Sequence, residues 1–208
     1  METVTLIHDR DIREPLFDYL EETYGKIRIL EEKMMGRSRA DVVMVTEDAL
    51  YGIEIKSDAD TYTRLARQIK DYNKYYDYNI VVVGTRHAHS IREHVPEWWG
   101  IITVEDDGGS LDFYYYRFPE KNPIVDMKRK ISILWRPELA HIQELNGMPK
   151  YREKSKQFVA DKIIETIPAE TLAPQISEEL FQRDYTTIEE TLNEFRKERI
   201  IKRRRRHR

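Results

Sequence analysis

The chain has no cysteine at all, which excludes disulfide bonds, zinc–thiolate sites and thiol nucleophiles. It also has no apolar run that approaches the length of a membrane span, and its first ten residues contain no apolar signal region. We therefore expect a soluble, cytoplasmic protein with no membrane partner. Internal repeats and low-complexity tracts are missing too, apart from the terminal sequence KRRRRHR.

The chain does contain enough apolar residues for a core, since 40% of its 208 residues are hydrophobic and 11% are aromatic. A chain of this length holds one good-sized domain, or one domain and a small appendage. We predict a core over residues 1–120, a helical connection packed on that core over 121–150, and a C-terminal helical region with a basic tail over 151–208.

The net charge of −3 conceals an uneven distribution. Residues 196–208 hold nine Lys or Arg side chains and one acid, so residues 1–195 carry about −11. A basic end on an acidic body is typical of a localised contact with a polyanion, and it is equally typical of a solubilising tail. The sequence leaves both interpretations open.

Hydrophobic periodicity predicts an α/β domain with a mixed sheet and helices on both sides. The predicted strands cover residues 26–33, 41–46, 50–56, 79–84, 100–105 and 111–118, and the predicted helices of the core cover 11–24, 60–76 and 90–94. A capping box from Asp11 to Glu14 is expected to start the first helix, with Pro15 in its first turn, and residues 34–39 are expected to form a polar loop.

Strand patterns end at Pro119, and five helical patterns follow at residues 125–135, 137–146, 155–167, 170–181 and 187–199. The strand before them is predicted to lie at the sheet edge, with the aromatic run from Phe113 to Tyr116 half buried. The last three helices and the basic residues after them resemble a winged-helix arrangement that would contact DNA through Lys202, Arg203 and Arg204. A small helical bundle that caps the core is the equally supported alternative.

The most informative residues are two acids and a lysine inside apolar strands, Asp41, Glu54 and Lys56. A carboxylate in a buried strand is unfavourable unless its charge is compensated, and a divalent cation is a usual compensation. Glu54 and Lys56 share one face of their strand because side chains alternate. These residues predict a metal-dependent phosphodiesterase site.

The pairing register between the two strands decides whether the site forms. If Thr46 pairs with Ala49 across the hairpin turn, Asp41 lies opposite Glu54. If Thr46 pairs instead with Tyr51, Asp41 lies opposite Lys56 and stays near Glu54. A slip of one residue would turn Asp41 to the wrong face.

In either favourable register, Asp41 and Glu54 are predicted to hold Mg²⁺ or Mn²⁺, with the Ile55 carbonyl as a third ligand. The metal would lower the pKa of a bound water and neutralise charge on a phosphate. Lys56 would orient that water or stabilise the transition state as a point charge.

Asp41 and the Glu54-Ile-Lys56 triplet resemble the PD-(D/E)XK nuclease superfamily, although Ala40 stands where the family has proline. Gln68 and Tyr72 resemble the QxxxY helix of its RecB-like members. The resemblance implies a restriction-endonuclease-like fold, with Gln68 positioning the lysine or the nucleic-acid backbone and Tyr72 supporting it. It also implies that Glu14 is a first-helix acid that assists metal binding; its alternative is the capping box.

Longer segments resemble an uncharacterised bacterial and phage group of that superfamily, in particular RADVVMV at 39–45, YGIEIKSDADTYTRLARQ at 51–68, VVVGTRH at 81–87 and PEWWGII at 96–102. The resemblance implies DNA as the partner, with Arg64 and Arg67 near the phosphates. A homodimer is compatible with the sequence, which leaves the oligomeric state open.

The leading hypothesis is therefore a Mg²⁺-dependent deoxyribonuclease. Two alternatives keep the same fold. One is a catalytically silent nucleic-acid-binding protein, and the other is a protein-interaction module that uses the acidic body as its contact surface.

Overall fold

The computed structural model describes residues 7–84 and 86–183. Within these residues the strands lie between 28 and 117, with one α-helix before them and one among them, and the remaining four α-helices follow. The elements are α1 (Asp9–Tyr24), β1 (Arg28–Met35), β2 (Ser38–Val45), β3 (Leu50–Lys56), α2 (Leu65–Tyr75), β4 (Tyr78–Gly84), β5 (Gly100–Asp106), β6 (Leu111–Arg117), α3 (Met127–Ile131), α4 (Arg136–Leu145), α5 (Lys156–Thr166) and α6 (Ala169–Phe181). Short 3₁₀ turns, Tyr62–Arg64 and Ile91–Glu93, precede α2 and β5.

The six strands form one sheet in the order of the sequence, β1-β2-β3-β4-β5-β6. β1, β2 and β3 pair antiparallel, β3, β4 and β5 pair parallel, and β6 returns antiparallel to β5. The parallel step from β3 to β4 needs a crossover, and α2 supplies it. The predicted mixed α/β sheet followed by C-terminal helices is confirmed.

Both faces of the sheet are covered, as the doubly apolar strands predicted. On one face α1 buries Ile12, Leu16 and Leu20 against residues such as Met44 and Ile53. On the other face α2 and the C-terminal helices join one large apolar cluster that runs from β1 to α6. Within the described residues, no helix combines the length and the apolar character that crossing a membrane requires.

The alternation of side chains breaks at one place in the β1–β2 ladder. The register is constant on both sides, but the pair that would join Glu32 to Asp41 is not formed. Ala40 and Val43 lie three residues apart and yet face the same apolar cluster, whereas a regular strand would turn them to opposite faces. Glu32 accommodates the break with φ of 52°, in the left-handed region. The break therefore removes Asp41 from the β1–β2 ladder.

Two predictions about the start of the chain are wrong. The helix begins at Asp9, with His8 as its N-cap residue. Asp11, which was predicted to be the first residue of the capping box, is its third helical residue instead, and its Oδ2 accepts the His8 N–H at 3.3 Å. Pro15 consequently lies inside the helix. Residues 34–39 extend β1 and β2 rather than forming a loop, because Gly36 makes the tight turn with φ of 60°.

A buried ion pair ties the C-terminal helices to the sheet. The Lys130 ammonium, on α3, donates to both carboxylate oxygens of Asp77 at 2.6 and 2.8 Å and to the Ala173 carbonyl of α6 at 3.1 Å. Asp77 also accepts the Leu50 amide of β3. The predicted helix at 187–199 and the predicted DNA contacts Lys202, Arg203 and Arg204 lie outside the described residues.

Candidate active site

The strand register places the two predicted acids together. β2 pairs with β3 from Val45 opposite Leu50, and the Thr46 amide donates to the Ala49 carbonyl at 3.0 Å. Continued to the end of the hairpin, this register puts Asp41 opposite Glu54. The first of the two predicted registers is therefore confirmed. At that end the Asp41 carboxylate replaces a backbone acceptor, since its Oδ2 accepts the Ile55 N–H at 2.9 Å.

Glu54 is almost fully buried, and three side chains hydrogen-bond its carboxylate. Oε1 accepts from the Lys56 ammonium and from the Gln68 amide, and Oε2 accepts from the Tyr72 hydroxyl at 2.7 Å. Lys56 Nζ also donates to Gln68 Oε1 at 3.3 Å. The structure thus brings together four of the predicted site residues, Glu54, Lys56, Gln68 and Tyr72, in one network.

Helix α2 supplies Gln68 and Tyr72, and it packs closely on β3 because Gly52 has no side chain. A Cβ atom added to Gly52 would lie 2.2 Å from the Tyr76 ring and 2.7 Å from the Tyr72 ring. Tyr72 and Tyr76 are one helical turn apart and both face the strand. This close approach lets the Tyr72 hydroxyl reach past the strand backbone to Glu54 Oε2 and to the Ile53 carbonyl at 3.1 Å.

Tyr72 also joins the two strands, because its hydroxyl accepts the Asp41 N–H at 3.3 Å. Burial and the charges of Glu54 and Asp41 raise the pKa of Tyr72 well above its ordinary value. The hydroxyl therefore stays protonated at neutral pH and can donate to Glu54.

Burial, and next to it the negative charge of Glu54, raise the pKa of Asp41 to about 7. The hydrogen bond from the Ile55 amide and the positive charge of Lys56 lower the pKa in part. Asp41 Oδ1 accepts no hydrogen bond among the described residues, and the Arg13 guanidinium stands 4.0 Å from it. The two carboxylates thus repel each other in a region with little water, and a cation would relieve that repulsion.

Arg13 is a part of the site that the sequence did not reveal. Its guanidinium donates to Asp9 at 2.9 Å, to Glu31 at 3.0 Å and to the Asp41 carbonyl at 3.2 Å. It therefore links α1, β1 and β2 at the place where the alternation of side chains in the β1–β2 ladder breaks. The contact with Asp41 joins residues 28 positions apart, so no local pattern in the sequence could have predicted it.

Glu14, the next residue along α1, is exposed and makes no hydrogen bond or ion pair with any described residue. The structure does not bring it to the carboxylates, and the side chain of α1 that reaches Asp41 is that of Arg13. Arg64 and Arg67 are exposed at the start of α2, near Gln68. Their contact with DNA stays a prediction.

Among the described residues, no three His, Asp or Glu side chains are grouped so as to hold a metal ion. A carboxylate offers about four lone-pair positions, and Glu54 uses three of them, which leaves one on Oε2. Asp41 Oδ1 is the second available oxygen. Mg²⁺ is commonly held by one or two carboxylates with water and phosphate around it, so this donor set fits. The Ile55 carbonyl remains a predicted ligand.

Replacing Tyr72 with Phe removes a hydroxyl that serves both Glu54 and Asp41. We expect the free energy of unfolding to fall by about 1–3 kcal/mol, because Glu54 and the Asp41 N–H each lose a buried partner. Urea denaturation measures the change. Tyr76→Phe is the matched control, since the Tyr76 hydroxyl makes no hydrogen bond among the described residues. Equal losses in the two variants would show that the Tyr72 hydroxyl does not support the site.

Fold and site together define a mixed α/β protein with a buried carboxylate–lysine–glutamine–tyrosine network at the carboxyl end of β3. The family model described as bacteriophage P4 protein cII matches residues 3–204, and the chain belongs to that family. The phage part of the predicted resemblance agrees with this membership. None of the curated proteins and none of the solved structures matches the chain.

Proposed function

We propose that the protein is a metal-dependent nuclease that hydrolyses DNA phosphodiester bonds. The observation that carries the proposal is the register of β2 and β3, because it puts Asp41 opposite Glu54 while Lys56 lies hydrogen-bonded beside them. Two carboxylates can hold the metal ion of a phosphate-ester hydrolysis, and a lysine can stabilise the charge that develops on the phosphate. The resemblance to PD-(D/E)XK nucleases supports the same reading.

Asp41 and Glu54 would hold Mg²⁺ or Mn²⁺, which when bound supplies an activated water and neutralises charge on the phosphate. Lys56 has three N–H donors and uses two of them, on Glu54 and on Gln68. Its third donor is left for the phosphate or the attacking water. Gln68 and Tyr72 hold Glu54 and Lys56 in place, so the donors need no reorganisation when DNA binds.

Cleavage assays on single-stranded, duplex and branched DNA with Mg²⁺, with Mn²⁺ and with EDTA test the proposal. We expect metal-dependent cleavage, and we expect Asp41→Asn and Lys56→Met each to lower its rate by about 100-fold or more, because each removes a charged group from the reacting phosphate. Circular dichroism melts check that the variants fold.

Asp18→Asn is the control for Asp41→Asn, since it removes an exposed carboxylate of α1. It should cleave like the wild type. Cleavage that is equal in the wild type, Asp41→Asn and Lys56→Met would come from a contaminant and would contradict the assignment.

A catalytically silent nucleic-acid-binding protein is the second candidate function. The observation in its favour is that three side chains already hydrogen-bond the Glu54 carboxylate, one of them the Lys56 ammonium with which it forms an ion pair in the protein interior. Such a pair can serve the fold alone. Salt-dependent DNA binding without cleavage under any metal condition would select this candidate.

A further inference from the structure

Strand β6 has an aromatic side that stays more than half exposed in the described part of the chain. Its inward side chains, Phe113 and Tyr115, pack on α1, where Tyr19 stacks on Phe113 at 5.5 Å and Tyr24 shares a hydrogen bond with Tyr115. The half-buried face predicted from the sequence is thus real. The other face, by contrast, leaves the rings of Tyr114 and Tyr116 53% and 57% exposed. Large aromatic rings at this exposure are typical of a binding surface.

This aromatic face is the same face of the sheet that carries the candidate active site. Lys56 pairs with Val83, Val83 pairs with Thr103, and Thr103 pairs with Tyr114. Side chains in one row of a sheet share a face, and neighbouring strands lie about 4.8 Å apart. The Cα atoms of Lys56 and Tyr114 are therefore roughly 15 Å apart along one row.

A basic segment lies between the two places. It starts beside the residues that follow β3, where the Arg86 N–H donates to Asp58 at 3.1 Å. It reaches the aromatic face where Arg92 donates to the Tyr116 hydroxyl at 3.4 Å. Residues 86–94 hold two arginines and three histidines but a single acid, Glu93. Both arginines are exposed. Such a segment attracts a phosphate backbone.

We propose that Tyr114 and Tyr116 form a stacking platform for the unpaired bases of single-stranded nucleic acid, with Arg86 and Arg92 on its phosphates. That the bound nucleic acid runs from this platform towards Lys56 rests on the proposed nuclease function. Tyr114 pairs with Thr103, whereas Tyr116 is the extra residue at an irregularity of the β5–β6 ladder, so the two rings occupy separate positions and each can take its own base. Bases of a duplex are paired and stacked on each other, so only a single strand offers them to the rings.

The acidic hairpin tip sets one limit of the platform. Asp112 lies 3.4 Å from the Tyr114 hydroxyl, and Glu105 and Asp107 are close enough that the three acids raise the pKa of Tyr114. Phosphates are repelled there. The single-stranded nucleic acid is therefore expected to leave the protein at Tyr114. From Tyr116 it is expected to run over Arg92 towards the active site.

The test is the fluorescence anisotropy of 5′-fluorescein-labelled dT20 in EDTA, so that binding is measured without cleavage. The double variant Tyr114→Leu with Tyr116→Leu keeps the apolar area and removes the aromatic rings. Its dissociation constant should rise about 100-fold, or about tenfold per ring. The Tyr→Phe double variant should bind within about threefold of the wild type, because it keeps both rings.

Met34→Ala is the matched control, because Met34 is 70% exposed on β1, at the opposite edge of the sheet. It should leave the affinity unchanged. Arg86→Gln with Arg92→Gln should reduce the slope of log affinity against log salt by about 1.4, or 0.7 per charge for a single strand.

Wild-type affinity in the Leu double variant would overturn the proposal. So would equal binding of dT20 and of a duplex by the wild type, or a lack of dT20 binding, which would leave the face to a protein partner. Binding is measured in EDTA and cleavage is measured with Mg²⁺ or Mn²⁺, so the two proposals can fail independently of each other. Tyrosine-dependent binding without any cleavage would keep the platform and reject the nuclease, and cleavage without tyrosine dependence would do the reverse.

Discussion

Lys56→Ala is expected to lower the free energy of unfolding by about 3–5 kcal/mol, because it leaves the buried Glu54 charge without its cationic partner. Lys56 and Glu54 side chains are 5% and 1% exposed, so water cannot replace the lost ammonium. Urea denaturation in EDTA measures the loss. Lys150→Ala is the control, since the Lys150–Glu144 ion pair has both side chains more than half exposed and its loss should cost less than about 1 kcal/mol.

Removing both charges should restore most of this stability. The double variant Lys56→Met with Glu54→Gln leaves no unpaired ion in the interior, so it should unfold closer to the wild type than Lys56→Ala does. Mg²⁺ gives a second readout in Lys56→Ala. If Asp41 and Glu54 hold the ion, a 100-fold excess over its dissociation constant should restore about 2.7 kcal/mol. A loss in Lys56→Ala no larger than in Lys150→Ala would show that the pair contributes little.

Gly52→Ala should destabilise the protein by about 3 kcal/mol, because the new methyl group would lie 2.2 Å from the Tyr76 ring. Helix α2 would have to move away from β3, and Tyr72 with it. Since Tyr72 holds Glu54 and Asp41, we also expect any metal-dependent cleavage to fall in this variant even where it remains folded. Thermal denaturation and the cleavage assay measure the two effects.

Gly108→Ala separates steric overlap from backbone strain. Gly108 has φ of 70° and open space around it, so alanine there should cost only about 1–2 kcal/mol. Trimming the obstructing ring provides the reverse test. Gly52→Ala combined with Tyr76→Leu should be more stable than Gly52→Ala alone, and a further loss in the double variant would contradict the steric explanation.

The central strands could be predicted from the sequence because their patterns are local. β3 has the predicted bounds, and β4, β5 and β6 differ from prediction by one residue each. The hairpin turn at residues 46–49 restricted the register to two favourable forms, and one of them is observed. Glu54 and Lys56 could be found because strand alternation needs only neighbouring residues, whereas Gln68 and Tyr72 were indicated by their resemblance to the QxxxY helix of RecB-like nucleases.

The wrong or missing predictions concern residues 34–39, the cap of α1 and Arg13, and each has a physical cause that a local sequence pattern does not contain. Residues 34–39 include a glycine, a serine and two arginines, a composition typical of a loop, yet only residues 36–37 form the turn between β1 and β2. The cap of α1 uses His8 and Asp11, a pair without the usual N-cap residue. The place of Arg13 beside Asp41 depends on how α1 packs across the sheet, which only the folded chain determines.

The contacts of the Lys130 ammonium bear on whether the sheet could fold as a domain without the C-terminal helices. Lys130 lies in the segment predicted as a connection, yet it is fully buried and holds Asp77 of the sheet region and the Ala173 carbonyl of the last described helix at once. A fragment that ended near residue 150 would lack the Ala173 carbonyl and the apolar side chains of α5 and α6 that pack in the same cluster as α3. The helices after the sheet are thus part of the folding unit, and the sheet should not be expected to refold as an isolated catalytic module.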